Sequence, residues 1–355
     1  MISLWTRRPA EAIRVDAGRS ARIDNFLAGE IQPDHPGMAV AVVKSGAIVH
    51  AAGYGSANSR AEPVRPDTIF HLASCGKQFT GVGILMLAEE RRLRLDDPIG
   101  THLPWLSGYG PEVTLRRLLH HTSGIRDLYD DQGVADVLAR CERPTNDDII
   151  QTFADLGCPM AEPGCRPGDT FTYSNSGYDL LGSVIEKVSG QSFHDFFQTR
   201  VFDRSGMNDT FAVPDQRAAD PRCATGYLLE DGQLSEHGGT ELDDVAGAGS
   251  CYTTVSDLCI YDRALATNAL ISAASMREAV TSGRTNDGKE TNYGFGWSLV
   301  DYEGMRIAEH EGEWIGYRSY IGRFLDAPLS VFLLTNHPTI NLVDVANEAI
   351  AAYGP

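Results

Sequence analysis

The stretch His71-Leu72-Ala73-Ser74-Cys75-Gly76-Lys77-Gln78-Phe79-Thr80 opens the longest apolar run in the chain, which extends from Phe79 to Ala88. Apolar residues lie almost all round a helix of this register, which predicts a central helix that is kept out of water. Ser74 and Lys77 are three residues apart, so in a helix they share one face. The rest of the chain is interpreted outward from this pair.

Ser-x-x-Lys is a pattern that nucleophilic catalysis can use. A serine hydroxyl is a weak nucleophile until a neighbouring group takes its proton. A buried lysine can do so, because removal from water lowers the pKa of its amine. Since four-residue patterns recur by chance, a helix start with a surface lysine is the alternative at this point. The adjacent Cys75 is interpreted as a small packed residue, because the lysine spacing belongs to Ser74.

Composition and charge limit the classes of function. A chain of 355 residues predicts about two domains, and its net charge of −18 argues against nucleic acid or an anionic membrane as partner. No uninterrupted apolar stretch is long enough to span a bilayer. The segment Met1–Arg22 lacks the apolar core of a secretory signal, and the seven cysteines are irregularly spaced. We therefore expect a cytoplasmic protein with reduced thiols, or a periplasmic one if a signal has been removed.

Strand patterns occur at both ends of the chain and helix patterns between them. A hairpin of Gly37–Val43 with Ala47–Ala52 is predicted, with further strands at Tyr293–Val300, Met305–Glu311, Tyr317–Phe324 and Ser330–Thr335. Helices are predicted at Ser20–Ile31, Leu115–Leu119, Asp147–Phe153, Tyr178–Val188, Ser192–Phe202 and Leu342–Ala352, and a surface loop at Glu230–Asp244. This order predicts an α+β fold. An antiparallel sheet from residues 1–73 and 246–355, flanked by helices, would carry an inserted, mainly helical domain of residues 74–245, with the site in the cleft between them.

Two further stretches carry candidate site residues. Tyr173 and Asn175 stand on a loop before an apolar helix, where a tyrosine can move a proton and an asparagine can hold a lysine or a substrate amide. A structural turn with a packed tyrosine is the alternative. His310 and Gly312 share one face of a probable strand, and Gly312 leaves room for a ligand to approach its backbone. A half-buried, hydrogen-bonded histidine is the alternative there. No other histidine has metal-ligand spacing with His310, so neither a metal nor a cofactor is expected.

The order Ser74-x-x-Lys77, Tyr173-x-Asn175, His310-x-Gly312 resembles the serine β-lactamase and penicillin-binding-protein superfamily. It is most similar to the branch of class C β-lactamases, D-Ala-D-Ala carboxypeptidases, D-aminopeptidases and esterases. The resemblance runs from about Gly37 to His337. Four further segments support it: Leu118–Gly124, Ala246–Gly249, Tyr293–Trp297 and Val331–Asn336. The implied fold is β-lactamase/transpeptidase-like, but one such fold hosts many chemistries.

The resemblance implies roles for these residues. Ser74 would attack a carbonyl, Lys77 and Tyr173 would share the proton transfers, and Asn175 would hold Lys77. His310 of the third motif would complete the catalytic set. The backbone N–H groups of Ser74 and Glu313 would form the oxyanion hole. Class A β-lactamases activate the deacylating water with a Glu in Glu-x-x-Leu-Asn, which is absent here, so Tyr173 is the better candidate. The α/β-hydrolase pattern Gly-x-Ser-x-Gly is also absent.

The third motif departs from the Lys-Thr-Gly of lactamases and carboxypeptidases. His310-Glu311-Gly312 resembles the His-x-Gly of D-aminopeptidases and D-amino-acid amidases. Histidine is largely neutral near pH 7 unless a carboxylate raises its pKa, and Glu309, Glu311 and Glu313 surround it in sequence. We expect a serine hydrolase that acts on amides or esters of a small or peptide-like, neutral or amine-bearing substrate, with Glu311 and Gly312 binding it. The alternatives are a D-Ala-D-Ala carboxypeptidase or class C-like β-lactamase, and a non-catalytic penicillin-recognition or scaffold protein. Oligomeric state stays open.

Overall fold

The strands predicted at the two ends of the chain form one antiparallel sheet. The computed structural model describes residues 10–162, 164–212, 220–237 and 239–354, so the first nine residues of the Met1–Arg22 segment lie outside it. Its strands are β1 (Ile13–Arg14), β2 (Met38–Lys44), β3 (Ala47–Tyr54), β4 (Phe70–His71), β5 (Gly226–Glu230), β6 (Gln233–His237), β7 (Tyr252–Thr253), β8 (Ser298–Tyr302), β9 (Met305–Trp314), β10 (Tyr317–Phe324) and β11 (Leu329–Thr335). Within the described residues, the main sheet has the order β1-β3-β2-β11-β10-β9-β8, with every neighbouring pair antiparallel. The pairing of β2 with β11 joins the two ends of the chain and confirms the predicted sheet.

The helices come mainly between these strands. They are α1 (Ala17–Glu30), α2 (Lys77–Glu89), α3 (Ile99–His102), α4 (Leu115–Leu119), α5 (Asp131–Leu138), α6 (Asn146–Asp155), α7 (Asn175–Ser189), α8 (Phe193–Phe197), α9 (Asp203–Ser205), α10 (Val255–Ala266), α11 (Ala273–Ala279) and α12 (Leu342–Tyr353). Short 3₁₀ turns occupy Ala73–Gly76 and Pro104–Tyr109, and a π-helical turn occupies Gln198–Phe202. The α+β architecture is therefore as predicted.

Each face of the main sheet has its own core. On one face, α1 and α12 cover β2, β10 and β11, with Ile23, Leu27 and Ile350 buried against Val40 and Val331. On the other face, α10 packs on β2 and β11, and α2 leads from the sheet into the helical region, where it packs on α7. Residues Lys77–Leu87 of α2 are all buried, which confirms the predicted dry central helix. Burial of this kind stabilises by about 25 cal/mol per Å² of apolar surface.

Two local predictions were wrong. Tyr293–Trp297 does not join the strand predicted over Tyr293–Val300, because Phe295 and Trp297 turn inward and are buried in the core of the helical face. The predicted loop Glu230–Asp244 contains strand β6, which pairs with β5 in a separate two-stranded sheet. That hairpin is exposed along most of both strands, so it lacks the apolar alternation by which a half-buried strand is found.

The division into domains at residues 73/74 and 245/246 stays a prediction. The core of the helical face is continuous from the sheet residues Ala41 and Phe332 through α2 to α7, so it offers no sharp boundary. No helix in the described part of the chain has both the length and the apolar character needed to cross a bilayer.

Candidate active site

Ser74 stands in the tight 3₁₀ turn that leads into α2. Ala73, directly before it, has a left-handed φ of 50°, which is costly for an alanine and persists only where the surroundings hold it. Two hydrogen bonds fix the neighbouring Leu72: its N–H donates to the Cys251 carbonyl at 2.7 Å, and its carbonyl accepts from the Ser319 hydroxyl at 2.6 Å. The turn thereby presents a half-buried Ser74 at the edge of the sheet.

Cys75 is packed away from the cleft, as the sequence analysis expects. Its side chain is fully buried, and its thiol donates to the His310 carbonyl at 3.0 Å. Burial raises the pKa of this thiol to about 12, so it stays protonated and is not a nucleophile near neutral pH.

Gly312 faces the serine turn, which gives this glycine a structural role beside the predicted one. A Cβ on Gly312 would lie 2.3 Å from the Ser319 hydroxyl and 2.7 Å from the Leu72 carbonyl oxygen. The missing side chain thus lets the sheet seat the turn that carries Ser74, and does not simply open space for a ligand backbone.

We expect Gly312→Ala to destabilise the fold by about 1–3 kcal/mol, because the turn must move to admit the methyl group. Guanidinium unfolding measures the free energy. Gly29→Ala is the matched control: a Cβ there meets no atom within 4 Å in helix α1, so it should stabilise by about 0.4–1 kcal/mol. Equal unfolding free energies for Gly312→Ala and the parent protein would show that the close approach is not restrictive.

Lys77 is fully buried, and its amine meets three oxygen atoms. Nζ lies 2.7 Å from Asn175 Oδ1, 2.8 Å from the Ala248 carbonyl and 3.2 Å from Ser74 Oγ. The amide and backbone oxygens can only accept, so they take two N–H groups whether the amine carries two or three hydrogens. The third direction faces the Ser74 hydroxyl, which can donate or accept. A proton can therefore pass between Ser74 and Lys77 while the other two bonds stay in place.

Asn175 is positioned by the start of helix α7. The helix begins at the edge of the cleft, so Asn175 in its first turn reaches Lys77. The Ser174 hydroxyl caps the helix by accepting from the Gly177 N–H at 3.0 Å. The Asp127 carboxylate accepts from the Ser176 N–H at 2.9 Å and the Asn175 N–H at 3.3 Å. A negative group at a helix N-terminus is favourable. Asp127 belongs to no sequence motif, so its position at this helix start could not be predicted.

Tyr173 lies over the lysine and packs on a buried histidine. Nζ of Lys77 is 4.9 Å from the centroid of the Tyr173 ring. The centroids of the His121 and Tyr173 rings are 4.3 Å apart. His121 Nδ1 accepts from the Ser174 N–H at 3.1 Å, and burial lowers the pKa of His121 well below its usual value. His121 therefore supports the Tyr173–Asn175 segment as an uncharged ring. It was quoted in the resemblance but given no role.

His310 is buried and neutral. Nδ1 lies against the Glu311 carbonyl oxygen, which only accepts, so Nδ1 carries the hydrogen and Nε2 accepts from the Tyr293 hydroxyl at 2.9 Å. Burial, with a smaller contribution from the charge of Lys77, lowers the pKa of His310 to about 3. Both ring nitrogens are engaged with protein, so a catalytic role for His310 stays a prediction.

The glutamates around His310 do not surround it in space. Strand alternation places Glu309, Glu311 and Glu313 on the opposite face from His310. Glu309 accepts from the Tyr320 hydroxyl at 2.7 Å, and the Glu313 side chain is 82% exposed. No carboxylate therefore raises the pKa of His310, and the ring is neutral for the reason that it is buried.

A cleft of about 470 Å³ joins most of the predicted residues. Its lining includes Ser74, Tyr173, His310, Glu311, Gly312 and Glu313, together with five residues for which the sequence predicted no site role: Phe171, Tyr293, Ser298, Glu309 and Arg318. Lys77 and Asn175 lie behind Ser74. Ser74 and Glu313 both face this space, so their backbone N–H groups remain the predicted oxyanion hole. A larger depression of about 780 Å³ contains none of the predicted residues.

Acidic and imidazole side chains are not arranged as a metal site. Across residues 10–162, 164–212, 220–237 and 239–354, no three His, Cys, Asp or Glu side chains are grouped so that they could hold an ion.

The chain is similar in sequence and structure to several known proteins. Penicillin-binding protein 4* of Bacillus subtilis (strain 168) is 33% identical over 307 residues, which are 81% of this chain and 64% of that protein. D-aminopeptidase of Gluconobacter oxydans (strain 621H) is 28% identical over 327 residues, 90% of this chain and 59% of that protein. The chain thus spans about three fifths of the length of these relatives. The structure of the octameric penicillin-binding protein homologue from Pyrococcus abyssi has a TM-score of 0.81 and 27% identity, covering 94% of this chain and 77% of that one.

The sequence also matches the family described as Beta-lactamase over residues 20–354, which include strands β2 to β11 and every residue that lines the cleft. The resemblance found in the three motifs is confirmed by this match. Because it covers nearly the whole chain, the protein belongs to the beta-lactamase family.

Proposed function

We propose that the protein is a serine hydrolase that acts through an acyl-enzyme on amide or ester bonds. The observation that carries this proposal is the placement of the Lys77 amine, buried and in contact with Ser74 Oγ, Asn175 Oδ1 and the Ala248 carbonyl. Two of these contacts fix the amine, and the third aims it at the hydroxyl that opens into the cleft. Such a pair is the arrangement that activates a serine.

The steps follow from these positions. Ser74 Oγ attacks the substrate carbonyl carbon while its proton passes to Lys77, and the Ser74 and Glu313 N–H groups stabilise the oxyanion, each by about 3–4 kcal/mol. Tyr173, whose ring lies over the amine, passes the proton to the leaving nitrogen or oxygen as the carbonyl re-forms. The same groups then take a proton from the water that attacks the acyl carbon, and they return it to Ser74 Oγ as the acyl C–Oγ bond breaks and the acid is released.

We infer that an amine-bearing or neutral substrate suits the cleft better than a carboxylate. His310 is uncharged, and the residues that line the cleft include the exposed acidic residues Glu311 and Glu313. Arg318, the cation in the lining, donates to the Ile340 carbonyl at 2.6 Å and lies 3.9 Å from Glu313. A D-aminopeptidase among the relatives supports this reading. The relative named Penicillin-binding protein 4* favours a second candidate, a penicillin-reactive enzyme such as a D-Ala-D-Ala carboxypeptidase or class C-like β-lactamase. The complete Ser74, Lys77 and Tyr173 set argues against a non-catalytic scaffold protein.

A substrate panel tests this choice. With D- and L-amino-acid p-nitroanilides, p-nitrophenyl acetate and nitrocefin, we expect measurable amide or ester turnover and a kcat/KM for nitrocefin at least about 100-fold lower, because about 3 kcal/mol separates a matched from a mismatched charge. An N-acetylated amino-acid amide, which lacks the positive amine, is the matched substrate control and should react more slowly. Glu311→Gln should reduce the difference in rate between the free and the N-acetylated amino-acid amides, while leaving p-nitrophenyl acetate hydrolysis unchanged. Nitrocefin turnover as fast as that of the amides would contradict the proposed substrate class and favour the second candidate.

A further inference from the structure

Asp179 is a buried acid that the reaction described above does not use. It stands on α7 one turn beyond Asn175, so the two side chains share a helix face. The Asp179 side chain is 0% exposed, and its Oδ1 accepts from the Ala248 N–H at 3.0 Å. Its Oδ2 is buried without a hydrogen bond of normal geometry, and the Tyr129 hydroxyl is the polar side-chain group that faces the carboxylate. Burial of a carboxylate costs free energy unless hydrogen bonds or a nearby positive charge compensate for the lost water.

Ala248 links Asp179 to the catalytic lysine. Its carbonyl accepts from Lys77 Nζ at 2.8 Å, while its N–H donates to Asp179. The preceding residues of the loop are also tied down, since Asn146 bonds both the N–H and the carbonyl of Ala246 at 2.7 Å. Asp179 is thus the side chain that fixes the one residue of this loop that touches the amine.

The charges around Asp179 couple it to the same amine. Burial raises the pKa of Asp179 to about 7, and the negative charge of Asp127 acts in the same direction. The positive charge of Lys77 on α2, the Ala248 N–H and the Tyr129 hydroxyl act the other way. These are the groups that face Asp179 from the elements packed against it. Asp179 consequently changes its charge near neutral pH, beside a lysine that must alternate between amine and ammonium.

We propose that Asp179 is a positioning residue for Lys77, which holds the Ala248 carbonyl against the amine and whose negative charge favours the ammonium that forms when Ser74 gives up its proton. This inference rests on the proposed function, since it assigns how the base of that reaction is supported. It extends the site from the cleft to the interior of α7, where no motif was apparent.

The test compares Asp179→Asn and Asp179→Ala with the parent protein. The rate constant for labelling by a fluorophosphonate is measured from pH 5 to 9, together with kcat and KM for p-nitrophenyl acetate. Asparagine keeps an oxygen for the Ala248 N–H but has no charge, so labelling at pH 8 should fall about tenfold, as for other residues that orient a site from behind. The rise in rate through pH 7 should also flatten, and KM should stay unchanged because Asp179 does not reach the cleft. Asp179→Ala should lower the labelling rate further, since it also removes the acceptor of the Ala248 N–H.

Ser183→Ala is the control variant. Ser183 is buried on the same helix one turn beyond Asp179, where its hydroxyl donates to the Asp179 backbone carbonyl at 3.0 Å, accepts from Asn146 Nδ2 at 3.2 Å and makes no bond to the carboxylate. It should leave the pH profile unchanged. Thermal unfolding confirms that each variant is folded, and Asp179→Asn carries the test if the alanine variant is not. Labelling of Asp179→Asn with the parent rate and pH profile would overturn the inference and leave the proposed function standing. A parent protein that is not labelled at any pH would overturn the proposed function and this inference with it.

Discussion

Replacing Ser74 with alanine is expected to lower ester and amide hydrolysis by about 10⁵-fold, because removing a catalytic serine eliminates the covalent route and leaves only binding and oxyanion stabilisation. The half-buried Ser74 side chain makes few contacts beyond Lys77, so the unfolding free energy should change little. Initial rates with p-nitrophenyl acetate and a D-amino-acid p-nitroanilide measure the loss. The covalent mass increase caused by a fluorophosphonate should disappear as well.

Cys75→Ala is the control for this variant. The thiol is adjacent in sequence but buried, protonated and bonded to the His310 carbonyl, so its loss should leave the hydrolysis rate within a few-fold of the parent value. Retained hydrolysis in Ser74→Ala, or lost labelling in Cys75→Ala with a normal unfolding transition, would mean that the nucleophile has been assigned to the wrong residue.

Replacing Lys77 with methionine should lower kcat by about 10³–10⁴-fold, near the upper range for loss of a general base. Methionine is similar in length and keeps the buried volume, but it cannot take the Ser74 proton. It also leaves Asn175 Oδ1 and the Ala248 carbonyl without a donor, which costs about 1–3 kcal/mol for each buried group. Initial rates measure the loss of kcat, and guanidinium unfolding measures the loss of stability, so the two effects are separated.

Lys187→Met provides the comparison on a surface lysine. Lys187 lies on α7 and pairs with Asp147 in an exposed ion pair, which contributes little. Its replacement should leave both kcat and the unfolding free energy close to the parent values. If Lys77→Met kept kcat within tenfold of the parent, the base would have to be another group, with Tyr173 the nearest in the cleft.

The sequence was most informative where local pattern determines structure. Strand β10 occupies Tyr317–Phe324 as predicted, and β11 begins one residue before its predicted start, because aromatic and β-branched residues recur along β10 and apolar residues dominate β11. The hairpin of β2 with β3 and the terminal helix α12 were likewise found from pattern and turn residues. The β5–β6 hairpin was missed, since its exposed strands carry no such signal.

The motifs located the cleft but not what supports it. The pairs Ser74 with Lys77 and Tyr173 with Asn175 were found because the members of each pair are only two or three residues apart in sequence. The Ala248 carbonyl and Asp179 were not assigned, because a backbone oxygen has no residue-type signature and their approach to Lys77 depends on how α2, α7 and the loop pack. Tyr293 was quoted in the resemblance, but only the fold brings its hydroxyl to His310.

The third motif shows how strand geometry altered the expected chemistry. In sequence, three glutamates flank His310 and suggest a carboxylate that could charge it. In the sheet, alternation turns them to the other face, so the ring is held neutral by burial and by its bonds to Tyr293 and the Glu311 backbone. Gly312 likewise serves the serine turn that packs on it.

Peptide mapping of the parent protein after exposure to a fluorophosphonate tests the central claim most directly. The account predicts one modified residue, Ser74, with labelling that is lost in Lys77→Met. Modification of a different residue, or an unmodified Ser74 in a protein that still hydrolyses p-nitrophenyl acetate, would contradict it.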